Sequence, residues 1–171
     1  MRSVRRIFVA CGILMAVFTA GCGKSSKLGA LLPDAPAGWK AAGVNYNDVR
    51  GVGHSAARDY EPTSGGSGVQ KVTVQILFAE KDADSKKLQA MSIEKHGSFK
   101  ERKEVNGLTA FESVPLPDNE EHSLDVIVKP GAWVQIIAYR GGAGWEKPEN
   151  RQAAVSAFAS KLDWKKIAAQ E

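Results

Sequence analysis

The chain has 171 residues, 43% hydrophobic and 25% charged, the composition of a globular domain and not of a disordered chain. Most of its formal charge of +4 comes from Arg2, Arg5 and Arg6, in a stretch that holds no acid; residues 22–171 carry 20 basic against 19 acidic side chains. A nearly neutral domain lacks the concentrated basic footprint of a nucleic-acid binder, and 150 residues make one domain rather than two.

Residues 1–21 read as a cleaved signal peptide. A positive start is followed by the uncharged run Ile7–Ala20, which is too short to span a bilayer as a helix and ends in small residues. The exit Phe18-Thr19-Ala20-Gly21-Cys22 resembles the lipobox of bacterial lipoproteins, with Thr19 standing where leucine is usual. That resemblance implies cleavage before Cys22 and two or three lipid chains on it, enough for stable membrane anchoring. Gly23 follows, and the absence of aspartate there implies the periplasmic face of the outer membrane in a Gram-negative envelope. The second cysteine, Cys11, leaves with the signal peptide, so no disulfide is expected in the mature chain.

Residues 22–30 read as a lipidated N-terminus and tether, and 31–171 as the domain. The tether Gly23–Gly29 reaches at most about 25 Å when extended. Pro33, Pro36 and Gly38 make an extended or turning entry, with Trp39 packed on the edge of the core. Gly53–Glu61 is a possible first strand. Val69–Ala79 is the clearest one, with Val72, Val74, Ile76 and Phe78 on one face. Asp82–His96 reads as a helix ended by Gly97. Phe99–Val105 and Leu108–Val114 flank Asn106-Gly107, the pair that a type I′ hairpin turn demands. Ser123–Lys129 and Ala132–Arg140 follow, joined at Pro130-Gly131; the latter is apolar on both faces and is expected to be central. Pro148 opens a last helix in which Val155, Phe158 and Leu162 face the sheet, and Asp163 caps a short turn through Ile167. The expected fold is α+β: an antiparallel sheet of five to six strands with two main helices packed on it.

Pro36-Ala37-Gly38-Trp39, Val105-Asn106-Gly107-Leu108-Thr109-Ala110 and the closing Leu162-Asp163-Trp164 resemble the Mog1/PsbP/DcrB-like group over about residues 31–167. The resemblance implies an antiparallel sheet sandwiched by helices and a protein that binds or scaffolds others. It carries no catalytic set to transfer.

Other constellations are sparse. Gly53-His54-Ser55-Ala56-Ala57 lacks the last glycine of a nucleophile elbow and continues as extended chain. Asp118, Glu120, Glu121 and His122 read as a solvated acidic loop, since an EF-hand would need glycine and glutamate where Ser123 and Lys129 stand. His54, His96 and His122 show no zinc-ligand spacing. Lys100–Glu104 reads as a water-facing run, and Trp145 as the cover of the adjoining helix rather than an exposed anchor. The sequence therefore predicts a non-enzymatic, lipid-anchored envelope protein that meets a partner protein or small ligand at the membrane, with no cofactor and no metal. The alternative is an envelope serine hydrolase using Ser55 with a histidine as general base.

Overall fold

The computed structural model describes residues 24–49, 53–65, 68–79, 100–114, 116 and 118–170. They form a helix α1 (Lys24–Gly29), strands β1 (Trp39–Val49), β2 (Gly53–Pro62), β3 (Val69–Ala79), β4 (Lys100–Val105), β5 (Leu108–Ser113), β6 (Glu121–Lys129) and β7 (Ala132–Arg140), and helices α2 (Pro148–Ala159) and α3 (Trp164–Ala168). The strands make one sheet in the order β1-β2-β3-β7-β6-β5-β4, and every neighbouring pair is antiparallel.

Local chemistry explains the strand ends. Asn106 and Gly107 both have positive φ, 50° and 79°, the type I′ geometry that the β4–β5 hairpin needs. Pro130-Gly131 turns β6 into β7. At the other end of β7 the run Gly141–Gly144 leaves the sheet, and Pro148 takes the first turn of α2, where a missing N–H costs nothing. Asp163 caps α3 through a bond from the Lys166 N–H to its carboxylate, 2.9 Å.

The register places Tyr60, Val72, Val74, Ile76, Val126, Val134, Ile136 and Ala138 on one face, all fully buried. Leu28 of α1, Leu31 and Leu32 after it, Val155 and Phe158 of α2, and Ile167 of α3 join them in a single core. Phe158 touches two rings: Trp39 edge-on at 5.1 Å and Tyr60 at 4.6 Å. The Tyr60 hydroxyl donates to the Pro33 carbonyl at 2.6 Å, and burial pushes its pKa up to about 12. On the second face of β7, Trp133 and Ile137 are also buried, in keeping with a central strand covered twice.

The expected α+β domain, with five to six strands and two main helices, is overturned. The structure is chiefly a seven-stranded antiparallel sheet, and its described helices are small, the longest having 12 residues. The unexpected strand is β1. Its inward positions Trp39, Ala41 and Val44 break the two-residue period, because the β1–β2 register shifts between Ala41 and Val44. Asn45, Asn47 and Asp48 further dilute the strand signal. The helix expected at Asp82–His96 lies outside the described residues. The segment read as a tether contains α1, and Leu28 within it is buried.

Phe158→Ala removes the ring shared by Trp39 and Tyr60. It should lower the unfolding free energy by about 3–5 kcal/mol, read in urea as a lower midpoint with an unchanged slope. A loss below about 1 kcal/mol would show that the core refills the space at little cost.

Candidate functional site

Among the described residues, the sequence-derived candidates do not converge. His54 and Ser55 are successive residues of β2, and their pairing with Phe78 and Leu77 sends them to opposite faces. His54 Nδ1 lies 2.6 Å from Asp48 Oδ1 on β1, an arrangement on the exposed edge of the sheet. Ser55 is buried on the other face. His122 pairs with Ala138 and so shares the His54 face, not that of Ser55. His96 and Cys22 lie outside the described residues. Of the expected acidic loop, Asp118 and Glu120 are exposed as read, whereas His122 is wholly buried on β6.

The structure instead assembles a chain of polar groups across β4, β5 and β6. Lys103 Nζ donates to Glu112 Oε2, and Glu112 Oε1 meets His122 Nε2 at 3.0 Å. These are diagonal neighbours: Lys103 pairs with Ala110 and Glu112 with Leu124, while all three side chains point to the core face. Exposure falls along the chain, from 42% for Lys103 to 12% for Glu112 and 0% for His122. Burial pushes the Glu112 carboxyl up, but the hydrogen bonds from His122 and Lys103 outweigh it and hold the group below the usual carboxylate range. The other ring nitrogen, His122 Nδ1, is buried without a hydrogen-bond partner.

Lys103 also lines a shallow hollow of about 320 Å³ beside the β4–β5 turn, together with Arg102, Glu104, Gly107 and Thr109. Two cations and one carboxylate there can hold a small polar group by charge and hydrogen bonding. His122 and Glu112 offer two metal ligands, and Lys103 opposes a third positive charge; among the described residues no group of three or more His, Cys, Asp or Glu is placed to hold a metal.

A second buried cation sits near the β7–α2 loop. Arg151 is fully buried, donates from Nη1 to the Leu116 carbonyl at 2.8 Å, and lies 5.1 Å from the centre of the Trp145 ring. Burial and then the Arg140 charge pull its pKa below the ordinary guanidinium value. Trp145 is 1% exposed and donates to the Asn119 carbonyl at 2.6 Å. It is therefore a packing group that covers the start of α2, as its position after the glycine run implied. The Lys103–Glu112–His122 chain was missed in the sequence. The Asn106-Gly107 turn fixes the register that brings Lys103 to Glu112, but nothing local reveals the register of β6. No described helix is long and apolar enough to cross a membrane.

Comparison of the chain with protein-family models, with curated proteins and with solved structures finds no match.

Glu112→Gln keeps the shape of the side chain and removes its charge. A carboxyl whose folded pKa is depressed contributes stability above its unfolded value near 4.5, and that stability is lost as pH falls through the folded pKa. The stability gap between wild type and Glu112→Gln should therefore be full at neutral pH and shrink below about pH 4.5 in urea titrations. A gap that stays constant down to acid pH would mean that the ion pairs contribute nothing.

Proposed function

We propose that this chain is a non-enzymatic, lipid-anchored protein of the bacterial cell envelope, held through Cys22, whose domain binds or scaffolds a partner protein or small ligand at the membrane surface. The observation that carries the reading is the exit Phe18-Thr19-Ala20-Gly21-Cys22, placed directly after a charged start and a short apolar run. It resembles the lipobox of bacterial lipoproteins, and Gly23 in place of aspartate favours the outer membrane where the host is Gram-negative. The motifs that resemble the Mog1/PsbP/DcrB-like group, Pro36-Ala37-Gly38-Trp39 and Val105–Ala110, support a binding role by analogy alone. Two or three acyl chains make residence permanent, so the working concentration of the domain is set by the membrane surface.

The test compares wild type with Cys22→Ala. Intact mass of the wild type should exceed the sequence from Cys22 by a diacylglyceryl group and any further acyl chain, and the protein should stay with membranes in alkaline carbonate. Cys22→Ala should lack the added mass and leave the membrane. A wild-type protein that is freely soluble with an unmodified thiol at residue 22 sinks the proposal. The binding half is probed with a photo-crosslinking residue at Arg102 in the anchored protein; a discrete envelope adduct is expected, and its absence at this and other exposed positions counts against a partner.

A further inference from the structure

The end of the chain that would carry the lipid is fixed to one particular edge of the sheet. Leu28 is 5% exposed, and Leu31 and Leu32 are buried in the same core. Pro33 is clamped through its carbonyl by the Tyr60 hydroxyl at 2.6 Å and by Arg58 Nη1 at 3.4 Å, both from β2. α1 itself packs on β1 and β2. α1 begins at Lys24, and in the sequence only Gly23 separates it from Cys22. The far edge, β4, is six strand spacings away, about 29 Å.

The side chains near this end differ from those at the far edge. Tyr46 on β1 is 51% exposed, the most exposed large apolar side chain among the described residues. The hydroxyl end of its ring leans on α1, leaving the rest of the ring half-exposed: a methyl group added to Gly29 would meet the Tyr46 hydroxyl first and lie 2.8 Å from Cε1. Lys27 and Lys40 are exposed nearby, balanced by exposed Asp34 and Asp48, and the rest of the exposed strand is Ala42, Gly43, Asn45 and Asn47. At the far edge Glu101, Arg102, Lys103 and Glu104 are all exposed and charged, a composition that stays in water. Tyrosine is enriched where a bilayer meets water, because its ring sits among headgroups while its hydroxyl remains hydrated.

We propose that the β1 edge, with Tyr46 at its centre and α1 beside it, is the surface this domain lays against the lipid headgroups, so that the sheet stands with β4 and the β4–β5 turn directed away from the membrane. The proposal rests on lipidation at Cys22 and adds the orientation. The lipid holds the protein at the bilayer, Tyr46 enters the headgroup layer, and the balanced charges around it neither drive nor oppose contact.

The mature chain has no cysteine besides Cys22, whose sulfur would be blocked by its thioether, so single labels are clean. Full-length lipidated Asn47→Cys, which keeps Tyr46, and Asn106→Cys are each labelled with a fluorophore and reconstituted into phosphatidylethanolamine–phosphatidylglycerol vesicles containing a headgroup-labelled quencher lipid. Quenching at position 47 should exceed that at 106 by about threefold or more. Unlabelled wild type provides a second reading: amide exchange in β1 slows on vesicles relative to detergent, and exchange in β4 does not change. A lipidated protein that binds vesicles but is quenched equally at 47 and 106, or is protected in β4 alone, overturns the orientation and leaves the anchor standing. Protection of β1 without quenching at 47 identifies a second copy of the chain on that edge and also overturns it. A protein of unmodified mass overturns both the anchor and the orientation.

Discussion

Phe158 sits where the two ends of the chain meet the sheet. Its ring contacts Trp39 at the start of β1 and Tyr60 near the end of β2, and Tyr60 in turn holds the Pro33 carbonyl. One aromatic side chain from the C-terminal helix thus locks the strand pair on which the N-terminal segment rests. With no cysteine after residue 22, no disulfide can share this task, and the burial of one sheet face under small helices has to hold the domain. Fully burying such a side chain contributes roughly 1.5–3 kcal/mol against a total stability of order 5–15. The contact is therefore a large fraction of what keeps both termini in place.

Polar groups enter this apolar face at Arg58 of β2, which donates to the Pro33 carbonyl, and in two clusters. Lys103, Glu112 and His122 form a graded chain, in which each step toward the interior is satisfied by the one before it. Among the described residues no carboxylate bonds to Arg151; a carbonyl and the face of Trp145 stabilise its charge instead. Both clusters leave buried nitrogen atoms without partners, at His122 Nδ1 and at Arg151 Nε and Nη2. Such atoms cost stability, and in each case they sit beside a loop or hairpin rather than under the middle of the sheet. The central strands β3 and β7 carry the dense aliphatic packing on this face, and the polar exceptions are displaced toward the margins.

Much of the sheet was legible because turn chemistry is local. Asn106-Gly107 specified a hairpin and the pairing of Val105 with Leu108, and the alternation of Val72, Val74, Ile76 and Phe78 specified the inward face of β3. The two-sided apolar pattern of β7 placed it at the centre of the sheet, where it lies between β3 and β6. β1 was not legible, because a bulge at Ala41–Val44 offsets its inward residues and asparagines interrupt them. The polar chain ending at His122 was half legible: the β4–β5 register follows from the turn, whereas the β5–β6 register is set by tertiary packing after the loop through Leu116.

A short rigid connection to an anchor acts differently from a long flexible one. A flexible linker samples a volume that grows with its length and leaves the domain free to present any surface. Here the chain is committed to the core by Leu28, only six residues after Cys22, and Pro33 is clamped five residues later. On the proposed lipidation, most of the rotational freedom is therefore removed inside the protein, before any contact with lipid. The membrane need supply only a weak preference, which one half-exposed tyrosine can give, to fix which edge faces inward. Any partner would then meet the charged β4 edge and the hollow beside Gly107, because those features stand farthest from the anchored end.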